Sequence, residues 1–246
     1  MYSVGSIILF LVGSSFSNNL PSYIPRCYLD DPKLNECVLR AFNEIRPYVN
    51  NGIEEIGLPP LNPFVVSKLT VQQEWSLANY TLTATNYTIE GLNNYDIKEF
   101  RYDPETMTFR FKIEFHFLPM SASVEIDGHV IHIPIKGKGF VRVAYGPISA
   151  IFEVKGDMKK LKGIEYYTTK KANVGLDMGD GSFNFEGLFD NNQLLVRTTN
   201  EMLNANSAMV MKAITPAYEK LAAKGVMRFM KTLTKIPYHQ LFPSSR

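Results

Sequence analysis

Side chains suited to acid–base or covalent chemistry are few in this chain. There are four histidines, His116, His129, His132 and His239, and two cysteines, Cys27 and Cys37. An imidazole serves as a general base or metal ligand when a carboxylate or second ligand stands beside it. None of the four shares a two- or four-residue ligand spacing with Asp, Glu or Cys on a helix. His129 and His132 form at most a loose pair. His116 and His132 fall on the polar parity of strands, His129 sits at the Asp127-Gly128 turn, and His239 follows Pro237. All four read as surface imidazoles. The sequence contains no G-x-S-x-G elbow, phosphate-binding P-loop, H-E-x-x-H motif or dinucleotide fingerprint. Gly137-Lys138-Gly139 and Gly179-Asp180-Gly181 read as hairpin or bulge glycines, because no helix follows either to cradle a phosphate. Carboxylates are scattered over polar strand faces. A pair of them brought together by folding is the one catalytic arrangement left open. The expectation is a non-enzyme with no metal and no cofactor.

The covalent chemistry that the residues do suggest is that of an exported protein. Residues 1–17 read as a signal peptide. Ile7-Ile8-Leu9-Phe10-Leu11-Val12 is a short apolar core, and Ser15 and Ser17 precede a cut after Ser17. The n-region carries no Lys or Arg. A membrane anchor is the other reading, but the apolar run is too short to span a bilayer. Residues 18–246 are then one domain. In an oxidising compartment Cys27 pairs with Cys37. The alternative, a reduced metal site, would have two ligands and no nearby His. Asn79-Tyr80-Thr81 and Asn86-Tyr87-Thr88 are glycosylation sequons. Asn79 and Asn86 differ in parity, so both face solvent from one strand only if a bulge or break lies between them. A net charge of +2 is too balanced for a nucleic-acid binder.

The strongest pattern is non-covalent. From Phe109 to Phe117 every second residue is large and apolar: Phe109, Phe111, Ile113, Phe115 and Phe117. Arg110, Lys112, Glu114 and His116 fill the gaps. A period of two places the five apolar side chains on one strand face. Either protein fills the space opposite them, as ordinary core, or a guest molecule does. Ile133, Val141, Val143 and Phe152 from other strands, with Met202 and Met209 from a helix, complete a candidate apolar lining. Tyr145, Tyr166 and Tyr167 are candidates for a polar handle within it, since each offers a ring and one hydroxyl.

The elements that must position these residues follow from the same patterns. Asp30-Asp31-Pro32 opens a short helix that Pro47 interrupts and Asn51-Gly52 ends. Three prolines between Pro59 and Pro63 make an extended connector. From about Val65 to Phe189 the chain reads as an antiparallel meander with turn signals roughly every ten residues. Among these signals are Gly91–Asn94, Asp103-Pro104-Glu105 and Asp127-Gly128; Pro119 stops the Phe-rich strand. From Asn192 to Ile236 a helical pattern runs, with Leu195, Met202, Met209, Ala213 and Ala217 near one stripe. Pro216 should kink it. The fold class is α+β: a strongly curved antiparallel sheet wrapped around a long C-terminal helix, with a short N-terminal helix. An ordinary α+β sandwich with a filled core is the alternative.

Several stretches resemble the takeout/juvenile-hormone-binding family of secreted insect proteins. They are Leu20-Pro21-Ser22-Tyr23-Ile24-Pro25-Arg26-Cys27 with Cys37, Gly57–Pro63, Ile133–Gly139, Leu188-Phe189-Asp190, Leu203–Asn206 and Ile236–Pro243. In order, they cover nearly the whole mature chain. The resemblance implies a super-roll of the tubular lipid-binding type, enclosing an apolar tunnel. It implies an extracellular carrier of a small hydrophobic ligand, a terpenoid such as juvenile hormone or a fatty acid, with no stable membrane insertion. Hormone-binding members imply a second disulfide for which this chain lacks the cysteines, so the takeout branch fits better. A membrane-lipid or lipopolysaccharide-contacting protein of the wider lipid-transfer class is the alternative function.

Overall fold

The structure, a computed structural model, describes residues 20–244; the expected signal peptide lies outside them. Helix α1 (Leu34–Val49) is followed by nine strands and four helices. The strands are β1 (Phe64–Trp75), β2 (Ala78–Ile89), β3 (Tyr95–Asp103), β4 (Thr108–Phe115) and β5 (Leu118–Val130), then β6 (Ile133–Tyr145), β7 (Ile148–Leu161), β8 (Ile164–Met178) and β9 (Gly181–Glu186). The helices are α2 (Leu188–Asn191), α3 (Gln193–Ala205), α4 (Ser207–Leu233) and α5 (Tyr238–Leu241).

The fold is α+β with a long C-terminal helix, as the patterning implies. The meander, however, divides into two open antiparallel sheets. One has the order β1-β2-β5-β6-β9 and the other β3-β4-β7-β8. The division explains a sequence expectation that fails. The alternation from Phe109 to Phe117 does not stay on one strand, because β4 ends at Phe115 and His116–Phe117 carry the chain across to the other sheet. Nor does Pro119 stop a strand; it is the second residue of β5, opposite Ala144.

The Asp127-Gly128 pair is not a turn. Both residues lie inside β5, as does His129, and the reversal comes at Ile131-His132. Gly128 is needed for a different reason. Its φ is 146°, and a Cβ would stand 2.2 Å from the Asn79 carbonyl oxygen of the neighbouring strand. Gly137 and Gly139 likewise lie within β6. They give clearance to the chain leaving β9, where a Cβ on Gly139 would meet the Glu186 oxygen at 2.0 Å. That chain turns through Phe189, Asp190 and Asn191, all at positive φ. Two of the resemblance-bearing stretches, around Gly137 and Leu188, are therefore one packed unit.

Helix α1 runs through Pro47 without interruption. Its N-cap residue, Lys33, donates its N–H to the Asp31 carboxylate at 2.8 Å. Cys27 and Cys37 are bonded, with Cα atoms 5.8 Å apart. The C-terminal helical pattern breaks at Asn206, whose φ of −118° separates α3 from α4. Helix α4 continues through Pro216 for 27 residues, about 40 Å, and packs along β8. The free edge of β9 is covered by side chains instead of a strand. Asn200 and Asn204, one turn apart on α3, each accept from and donate to the backbone of Phe185 and Phe183 at 2.7–2.9 Å. An edge saturated in this way cannot recruit another chain.

The disulfide closes a loop spanning 10 residues, for which chain entropy gives roughly 3 kcal/mol. The C27S/C37S double variant is expected to lose about that much in urea unfolding, with an m-value equal to or slightly above wild type because the unfolded chain is less constrained.

Candidate functional site

Two apolar cavities lie along α4, one toward each end. The larger, about 380 Å³, is bounded by the N-terminal arm, α1, β3, β4, the C-terminal third of α4, and α5. Val38, Phe42 and Ile45 come from α1; Phe229 and Leu233 come from α4. The smaller, about 110 Å³, lies under the five-stranded sheet against α3 and the first half of α4. Pockets that hold a small organic molecule run from about 300 Å³ upward, so the larger cavity is the candidate binding site.

The expected lining residues separate into three groups. Phe109, Ile113 and Phe115 line the larger cavity, while Val141 and Val143 line the smaller. Phe111, Ile133 and Phe152 line neither. Phe111 packs edge-on against Phe42 at 5.7 Å, supporting the wall from behind. Ile133 is buried in the main core. Phe152 shares the inner face of β7 with Ala150 and Val154, half-buried. Phe117, Met202 and Met209 are exposed, at 57%, 44% and 48%. Phe117 misses because the strand ends before it. Met202 and Met209 miss because the seven-residue spacing picks out the wrong stripe: Leu195 on the same stripe is exposed too, and the inward stripe is Thr199, Leu203, Val210, Ala213, Ile214 and Ala217.

Residues that periodicity did not single out supply much of the larger wall. Leu20, Ile24, Pro25 and Cys27, Leu58 and Leu61, and Tyr238, Leu241 and Phe242 all border it. They come from three of the stretches that carry the family resemblance. The signal for them was therefore present, as a motif in irregular chain with no period. The closing segment is held firmly: Phe242 stacks on Phe109 at 5.5 Å between ring centres, and Leu29 donates its N–H to the Pro243 carbonyl.

Most polar groups on both cavity walls are tyrosine hydroxyls; Ser121 borders the smaller cavity, and Thr234, whose hydroxyl donates to the Met230 carbonyl at 2.7 Å, borders the larger. In the smaller, Tyr145 and Tyr218 are bonded at 3.0 Å, Tyr87 donates to the Met120 sulfur at 2.9 Å, and Tyr80 stands alongside. In the larger, Tyr95 donates to the Phe42 carbonyl, Tyr167 to the Met107 carbonyl, and Tyr238 bonds Tyr102 at 2.6 Å. Of the three expected polar handles, Tyr145 and Tyr167 lie on cavity walls; Tyr166 lies on neither. The two sequon asparagines are both exposed, and Asn86 (φ 51°) is itself the bulge that brings them to one face. Among the described residues no group of three or more His, Cys, Asp or Glu side chains is placed to hold a metal ion. No helix there is long and apolar enough to cross a membrane.

Comparison with known families matches residues 6–243 to the haemolymph juvenile hormone binding protein family. The chain belongs to that family. Among family relatives, the circadian clock-controlled protein daywake of Drosophila melanogaster is 21% identical over 92% of this chain and 89% of its own. Its Drosophila yakuba counterpart is 20% identical over the same shares. The crystal structure of Takeout 1 from Epiphyas postvittana superposes with a TM-score of 0.74, covering 89% of this chain and 99% of that one, at 20% identity. The fold of the family is thus the fold found here, and it belongs to binding proteins.

Burial pushes the phenols of Tyr80, Tyr87, Tyr145 and Tyr218 above the ordinary tyrosine value. The folded chain keeps these groups neutral, whereas the unfolded chain ionises them near pH 10. Above that pH the unfolded state holds fewer protons, so stability falls as pH rises. The melting temperature is expected to drop from about pH 10 upward. In Y145F/Y218F the drop should be shallower, with a small cost at pH 7, because Tyr145 and Tyr218 leave together and Tyr87, which also bonds Tyr218, keeps the Met120 sulfur. Calorimetry across pH 7 to 11 checks both.

Proposed function

We propose that this chain is a secreted carrier that holds a small hydrophobic molecule in the larger cavity, without catalysis. The observation that carries the reading is that cavity. A cavity of about 380 Å³ lined almost wholly by apolar side chains leaves apolar surface without a protein partner, and a guest of matching volume takes that surface and its own out of water.

The size suits a terpenoid such as juvenile hormone, or a fatty-acid-like molecule. Burying on the order of 400 Å² of apolar ligand surface yields roughly 10 kcal/mol gross. Association removes several kcal/mol of that, leaving roughly micromolar affinity or better. Phe109, Ile113 and Phe115 form the sheet-side wall, and α1 closes the opposite side. Orientation falls to Tyr95, Tyr167 and Tyr238, whose hydroxyls border a largely apolar space; the other hydroxyl there, Thr234, is tied to its own helix. Family membership supports export of the chain, as do the apolar leader and Cys27–Cys37.

The test fills the cavity instead of dismantling it. A41W, on the inner face of α1, puts an indole into the void. It is expected to abolish uptake of a fluorescent fatty acid while leaving the melting temperature unchanged or raised. Unchanged uptake in A41W overturns the site. A217V, which only narrows the smaller cavity, should leave uptake intact.

Asn79 and Asn86 both carry glycan in this reading. Expressed through an insect secretory pathway, N79Q and N86Q should each remove one glycan step on a gel. A chain that shows no shift on glycosidase treatment contradicts that expectation.

A further inference from the structure

The hairpin that joins β7 to β8 takes no part in either cavity below its tip. All seven residues from Lys159 to Glu165 are exposed. The turn is Lys162-Gly163, with φ of 49° and 85°, the two-residue form that suits strand twist. Directly before and after it, Leu161 and Ile164 face each other in register and are 49% and 41% exposed. Strand alternation puts the next pair but one, Lys159 and Tyr166, on the same side. Lys160 and Glu165 occupy the other side. Among the described residues Lys159, Lys160 and Lys162 join no ion pair, whereas Lys170 further along is held by Asp157 at 3.4 Å. The tip thus offers three unpaired lysines against one carboxylate, around an apolar pair at its apex.

We propose that this tip docks the protein on an anionic lipid bilayer, with Leu161 and Ile164 entering the headgroup region and Lys159, Lys160 and Lys162 meeting lipid phosphates. The size of the patch selects this partner over an acidic protein. Two apical side chains are far too little for a stable protein interface, which takes about 800 Å² per partner. A bilayer asks for less: a few apolar side chains at the boundary and a cationic ring at phosphate level. Lysine stems reach up from the surface while their ammonium groups stay wet, and a half-buried tyrosine such as Tyr166 suits the same depth. The tip is also the continuation of a cavity wall, since Tyr167, three residues beyond Ile164, borders the larger cavity. Docking here sets that end of the cavity near the membrane. The proposal goes beyond the carrier reading and does not depend on it: docking is a property of the tip, and uptake a property of the cavity.

The experiment is vesicle co-sedimentation of the full oxidised chain, with fatty-acid uptake measured in parallel. The vesicles are phosphatidylcholine alone, or with about a third phosphatidylserine to supply negative surface potential. Binding is expected with the anionic vesicles at low salt, and should weaken as salt screens the lysines. K159Q/K160Q/K162Q is expected to weaken it about tenfold or more. L161S/I164S, which leaves the charge unchanged, should weaken it severalfold. Both should keep wild-type melting and wild-type uptake, because every altered side chain is exposed. Absence of binding to anionic vesicles at low salt overturns the proposal. So does equal binding to neutral vesicles, or full binding by L161S/I164S. Equally tight binding to polyglutamate that ignores L161S/I164S would mark a general acidic-polymer site and overturn it as well. Loss of uptake in wild-type protein bears on the carrier reading alone.

Discussion

The contact on which the rest of the structure depends is that of α4 with the two sheets. Its inward stripe begins with Val210, Ala213, Ile214 and Ala217 beneath the five-stranded sheet and ends with Phe229, Met230 and Leu233 beneath the four-stranded one. A single rod about 40 Å long therefore serves as the common floor of two separate layers. Ala213 and Ala217 are buried beneath the first sheet, and the cavity there is small. At the other end Phe229 and Leu233 border the larger cavity, which β3 and β4 wall on one side and α1 on another. Irregular chain from the N-terminal arm, the connector after α1 and the C-terminal segment completes its roof.

Those pieces are fastened to one another. The disulfide joins the arm to α1, Leu61 donates to the Val49 carbonyl at the end of α1, and Leu29 donates to the Pro243 carbonyl. Gly57 passes so close to α4 that a Cβ would meet the Thr232 side chain at 2.2 Å. The roof is therefore a set of tethered segments, and it is cross-linked where the arm meets α1. The smaller cavity has no such roof. Its walls are sheet and helix throughout, and four tyrosines and Ser121 supply its polar groups.

Periodicity revealed most of the strands, that they pair antiparallel, and the long helical region, because alternation and helical spacing are local properties of the residue string. The parity difference between Asn79 and Asn86 even required the bulge that Asn86 makes. Periodicity failed where a residue's meaning lay in its neighbours. Asp127-Gly128 has the composition of a turn, yet the glycine is present because Asn79 crosses it. Phe117 continues a perfect alternation, yet its strand has ended. Met202 and Met209 keep helical spacing with Leu195, yet the sheet lies on the other side of that helix.

The sequence by itself determined the elements, the disulfide-bearing arm and the family, since each is written in spacing or in contiguous motif. Only the tertiary structure decided that the meander splits into two sheets, that the interior holds two cavities of unequal size, and which of the alternating Phe residues border one of them. The physical reason is that a strand or helix presents a face without stating what lies opposite. Empty space is a relation between distant segments, and no single segment encodes it.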